Sequence, residues 1–137
     1  MTTALLTSYY GGFSPGMGVA VRTSVGKPRG WTGPLEYVPE VAPLGIFGRD
    51  LPWPEYEAAY LARLDRIDVT DLLRRFDDLS ARHGGRPLVL LCFEKDPERC
   101  HRSLLARHLE AHGFGPVPDA TLNDETPAQL TFDQGSQ

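Results

Sequence analysis

Cysteine occurs only twice in 137 residues, at positions 92 and 100. That is too few for a secreted disulfide framework, so reduced thiols are expected. No apolar run approaches the ~18 residues of a spanning helix, and no membrane partner is expected. The opening stretch from Met1 to Thr7 lacks the charged and long apolar regions of a signal peptide, which points to a cytoplasmic location. A broad basic excess is missing as well. The 14 Lys and Arg stand against 18 Asp and Glu, for a net charge of −4, which argues against an extended nucleic-acid partner. Acidic side chains are absent before Glu36, although Arg22, Lys27, Arg29 and half of the 14 glycines fall there. The N-terminal third is thus a basic, flexible patch on an acidic protein.

With 41% hydrophobic residues, a chain of 137 is sized for one domain with an ordinary core. Leu5 to Tyr10 and Met17 to Arg22 read as strands separated by glycine-rich turn residues, and 25–34 reads as loop. Apolar residues recur at helical spacing over 54–64 (Tyr56, Tyr60, Leu61, Leu64) and over 69–82 (Leu72, Leu73, Phe76, Leu79). Asp68 opens the second helix, and Gly84-Gly85 closes it. The run Leu88 to Leu91 reads as a buried strand, and Asp96-Pro97 as the cap and first turn of a third helix over 97–112. The expected fold class is therefore α/β, a single compact domain over 1–118 with a central, mostly parallel sheet flanked by helices. A weakly structured tail is expected over 119–137, with a faint strand signal at 129–132.

Ligands of open α/β sheets bind at the carboxyl ends of the strands. Here that end is followed by Glu94, Cys100, His101 and Arg102 on one strand-to-helix connection. Glu94 is placed to orient Arg102, to position a substrate hydroxyl or to act as a general base, and a structural ion pair accounts for it as well. Cys92 reads as a small core residue. Cys100, at the helix start between Arg99 and Arg102, has the surroundings of a thiolate and is a candidate nucleophile. The spacing of the two cysteines fits no zinc motif, and with His101 they still leave a tetrahedral site one ligand short, to be completed by His83 or an acid; no metal is assigned. His101, His108 and His112 share a helical face, but the ~1.5 Å rise per residue separates the first and last by roughly 16 Å. His101 alone of these is advanced as functional.

The stretch from Gly11 to Gly18 matches neither a P-loop nor a dinucleotide fingerprint and reads as a turn. The loop Lys27-Pro28-Arg29-Gly30-Trp31 pairs two cations with an indole. Such a loop grips a phosphate and stacks a base, or is simply a solvated basic loop.

The segment from Cys92-Phe93-Glu94 to Cys100-His101-Arg102 resembles the signature of the domain of unknown function 488 family, a strand ending in Cys-x-Glu followed by a Cys-His-Arg helix start. The 26–31 loop, the region of Leu44, and the helix carrying Glu55, Tyr56, Tyr60 and Leu64 resemble a short branch of it, covering most of residues 5 to 118. The resemblance implies a compact α/β domain with a pocket where the loop meets the helix start. It carries no reaction.

Three functions follow as expectations. The first is an enzyme acting on a phosphorylated small molecule or nucleotide, with Arg22, Lys27, Arg29, Trp31 and Arg102 binding and Glu94, His101 and Cys100 as catalytic groups. The second is a module that binds a nucleotide or nucleic-acid end without chemistry. The third is a thiol or metal sensor. No feature of the sequence specifies a cofactor or an oligomeric state.

Overall fold

The five residues of β4 (Leu88–Cys92) are all buried, and a strand apolar on both faces has to lie inside a sheet. β4 runs between β1 (Leu5–Tyr9) and β2 (Val19–Arg22), with the two-residue β3 (Glu36–Tyr37) at the far side of β2. All pairings are parallel, with Leu5 and Val19 both in register with Leu88. The expected fold class holds. The structure, a computed structural model, describes residues 3–46 and 48–121.

Three α-helices lie among the described residues, α1 (Trp53–Asp65), α2 (Val69–Arg82) and α3 (His101–Ala111). They share one core with one face of the sheet, where Tyr60, Leu64, Phe76, Leu79, Leu104 and Leu109 pack with Val19, Val21, Leu88 and Leu90. The opposite face, with Ala20, Val89 and Leu91, is covered by Tyr10, Phe13, Met17, Trp31 and Leu35 from loops. Gly18, at φ +148°, has no room for a Cβ against the Pro87 carbonyl, whose oxygen accepts the Val19 N–H at 2.8 Å. That close approach aligns the starts of β2 and β4.

The helix limits of α1 and α2 fall within a residue of expectation; α1 opens at Pro52 with a further proline in its first turn, and α2 carries clear stops. Asp68 Oδ1 accepts the Asp71 N–H at 3.1 Å, and Gly84 and Gly85 take positive φ after α2. β3 had no signal in the sequence, since two half-buried residues, Glu36 and Tyr37, show no periodicity. The third helix departs more usefully. Asp96 caps only a 3-10 turn, Pro97–Arg99, and Cys100 is extended at φ −132° and ψ 142°, so α3 starts at His101.

Packing also continues past residue 118. The Thr7 N–H donates to the Pro118 carbonyl at 3.0 Å, Asp119 bridges to β1, and Ala120 and Thr121 are buried. The strand signal at 129–132 lies outside the described residues. Among those residues no helix is long and apolar enough to cross a membrane.

Leu90 is fully buried and Leu44 is 39% exposed. Leu90→Ala is expected to cost about 2–5 kcal/mol in urea unfolding, and Leu44→Ala less than about 1 kcal/mol.

Candidate active site

Neighbouring parallel strands end on the same edge of a sheet. The residues after β2 (Ser24, Val25) and after β4 (Phe93, Glu94) therefore meet, and the starts of α1 (Trp53, Tyr56) and α3 (His101) close over them with Arg99. Together they line a cavity of about 340 Å³. A larger hollow of about 480 Å³ at the other end of the sheet, around Leu5, Leu73, Phe114 and Pro116, has no charged or titratable lining residue. The first holds the acid, the histidine and the cation that the strand-to-helix connection carries.

His101 is only 4% exposed. Its Nε2 lies 2.9 Å from the Thr23 carbonyl and 3.1 Å from Thr23 Oγ1. A carbonyl only accepts, so Nε2 carries the proton in the neutral ring and Nδ1 keeps its lone pair. Burial pulls the His101 pKa down to about 4, the nearby Arg102 charge lowers it further, and the Thr23 carbonyl opposes both. At neutral pH this is a fixed, uncharged acceptor. The Tyr60 ring meets it edge-on at 5.4 Å.

Glu94 is exposed, and its carboxylate makes no hydrogen bond or ion pair among the described residues. Beside it in the cavity wall, Tyr56 has its pKa pushed up to about 12, first by burial and then by the Glu94 charge. Its hydroxyl stays a donor. Arg99, which the sequence suggested only as a neighbour of Cys100, is the cation that lines this cavity. Tyr56 and Trp53, stacked at 5.3 Å, were also missed as site residues. Their helical spacing is the same as that of core residues, and nothing else marked them.

Arg102 is a correction. It is fully buried, with Nε on Asp119 Oδ2 at 2.7 Å, Nη2 on the Lys95 carbonyl at 2.9 Å, and Nη1 on the Glu94 carbonyl and on Cys92 Sγ at 3.1 Å. Arg102 does not line the cavity, because the extended Cys100 turns the guanidinium inward. Glu94 meets Arg102 through its backbone, not its carboxylate. Asp119 is held below the ordinary carboxylate range: burial pushes its pKa up, but the Arg102 hydrogen bond and charge, Thr7 and the Thr121 N–H outweigh it.

The basic loop is not brought together as expected. Arg22 braces its own connection, with Nε donating to Ser24 O at 3.1 Å, Nη2 to Val25 O, and the guanidinium 3.9 Å over the Tyr37 ring. Lys27 and Arg29 are exposed and line no wall of this cavity. Trp31 packs on the loop-covered sheet face, 5.6 Å from both Tyr10 and Phe13. The connection after β2 turns across that face, so only its first residues, Ser24 and Val25, reach the cavity.

The cysteines are a second correction. Cys92 and Cys100 are joined in a disulfide, and both are buried. The 3-10 turn folds the chain back and returns Cys100 to the end of β4, a reversal that the expected continuous helix would not make. Cys100 is therefore not a free nucleophile here. The two sulfurs and a Glu94 oxygen lie within 4.8 Å of one another, but bonded sulfurs offer no thiolate to a metal. His83, considered as a further ligand, bonds Glu36 instead at 2.7 Å.

The family model described as the active DUF488-N3 subclade matches residues 14–113. The chain belongs to the DUF488 family. No curated protein and no solved structure matches it. The DUF488 match contains every residue lining the cavity, and it leaves out β1 and Asp119.

Two outcomes are expected for this DUF488 chain. A histidine titrates at 6.5 in the unfolded chain but His101 at about 4 in the fold, so the stability tied to its neutral form is full above 6.5 and lost as pH falls towards 4. Urea unfolding at pH 7 and pH 4.5 should show His101→Gln losing roughly 2–3 kcal/mol less than the wild type between the two; equal losses would contradict a buried neutral ring. Asp119→Asn leaves the Arg102 charge buried without its partner and is expected to cost about 3–5 kcal/mol at pH 7, read in the same way.

Proposed function

We propose that this protein is an enzyme acting on a nucleotide, or on another phosphorylated small molecule that carries a flat ring. The observation behind this reading is one cavity that holds a carboxylate without a partner among the described residues, a cation and an aromatic wall: Glu94, Arg99, and Trp53 with Tyr56 and Phe93. Aromatic faces stack on a ring without regard to its identity. A guanidinium binds phosphate oxygens through paired N–H groups.

The proton chemistry falls to Glu94. Its carboxylate takes a proton from a substrate hydroxyl or from water, which general-base catalysis rewards by ~10²–10⁴-fold. His101, neutral and fixed by Thr23, accepts a hydrogen bond from the substrate at Nδ1. Tyr56 keeps its proton and donates. The net charge of −4 fits a small ligand better than a polyanion.

Calorimetry with adenosine monophosphate at low salt tests the binding half. Arg99→Ala is expected to weaken the affinity by ~10–100-fold, the worth of a charge-assisted hydrogen bond. Glu94→Gln should bind about as well as the wild type but lose ~10²–10⁴-fold in turnover, followed by proton and phosphorus NMR over a set of nucleoside phosphates. Absence of binding to every member would overturn the reading, and binding without conversion would favour the non-catalytic module.

A further inference from the structure

The disulfide spans the root of the segment that carries Phe93, Glu94 and Arg99 into the cavity. A chain with its own fully buried core, including Tyr60, Phe76, Leu79 and Leu88, does not need a staple to fold. The bond also sits beside an unusual neighbour. Arg102, at 0% exposure, aims Nη1 at Cys92 Sγ from 3.1 Å. A disulfide sulfur is a weak acceptor, whereas a thiolate gains fully from a buried guanidinium.

We propose that Cys92 and Cys100 are a reversible thiol–disulfide couple that locks and unlocks the 93–99 segment by exchange with a low-molecular-weight dithiol. The consequence for the cavity rests on the reading above; the couple itself does not. A thiolate of the dithiol attacks Cys100 Sγ, the sulfur–sulfur bond breaks, and Cys92 leaves as a thiolate held by Arg102. The second thiol of the reagent then displaces Cys100. The reagent ends as a cyclic disulfide, Cys100 as a thiol and Cys92 as a thiolate, with one proton released and two electrons passed to the protein. Both sulfurs are buried, but Phe93 to Asp96, Glu98 and Arg99 above them are exposed. Opening that segment admits a small thiol without unfolding β4 or α3. Once the bond is broken, what holds the segment down among the described residues is the Arg102 bonds to the Glu94 and Lys95 carbonyls and the Phe93 ring against Tyr10 at 4.8 Å.

The full chain, equilibrated in mixtures of reduced and oxidised dithiothreitol and then acid-quenched, is read by peptide mass spectrometry and by hydrogen exchange without nucleotide. The Cys92–Cys100 link is expected to form and break reversibly. Amides of 93–99 should exchange ~10-fold faster in the reduced form or more, while those of α2 stay unchanged. Cys100→Ser should match the reduced wild type and ignore the reagent; should that variant not fold, the reduced wild type supplies the comparison. Cysteines that stay reduced in oxidised reagent, zinc retained by the reduced protein, or equal exchange in both forms would each overturn the couple. Faster exchange in a protein that binds no nucleotide would leave the couple standing and remove the proposed substrate class.

Discussion

The buried guanidinium of Arg102 is the constraint on which the site depends. A full charge at 0% exposure is tolerable only when its nitrogens find acceptors and an opposite charge lies close. Asp119 provides the charge from beyond α3, and the carbonyls of Glu94 and Lys95 provide the remaining acceptors together with Cys92 Sγ. One side chain thereby joins the end of β4, the start of α3 and the segment at 118–121. Those three pieces are distant in sequence, and the strand pairing alone would not hold them in one arrangement.

The cavity takes its character from what Arg102 leaves unused. Since the guanidinium binds the backbone of Glu94, the carboxylate is left for the cavity. With Arg102 sealed inside, the cation that lines the cavity is Arg99, on the short turn before α3. His101, the residue before Arg102, follows the same inward turn, loses its charge through burial and is fixed by Thr23 from the neighbouring β2 connection. An acid, a neutral acceptor and a cation with three different environments thus come from eight consecutive positions, 94 to 101.

Much of the fold could be read from patterns of apolar residues. The β4 run, the helical spacing over 54–64 and 69–82, and the glycine stops all concern neighbours in sequence, for which local geometry is decisive. β3 could not be read, because its two residues are held by pairing with β2 and by bonds from Arg75 and His83 and show no pattern of their own. The candidate site was legible in part. Glu94 and His101 were picked out by their place after a buried strand, whereas Tyr56 and Trp53 sit on a helix whose apolar spacing says only that one side faces inward.

Sequence by itself determined that this is an α/β chain with a central buried strand, that Glu94 and His101 fall together where that strand meets its helix, and that the family is DUF488. These are local facts, set by residue type and spacing along one short stretch. Tertiary structure decided which cation faces the cavity, which is spent inside the fold, and that the two cysteines are bonded. The deciding element was a single extended residue, Cys100. It breaks the expected helix, reverses the chain onto β4, and exchanges the roles that spacing alone would assign to Arg99 and Arg102.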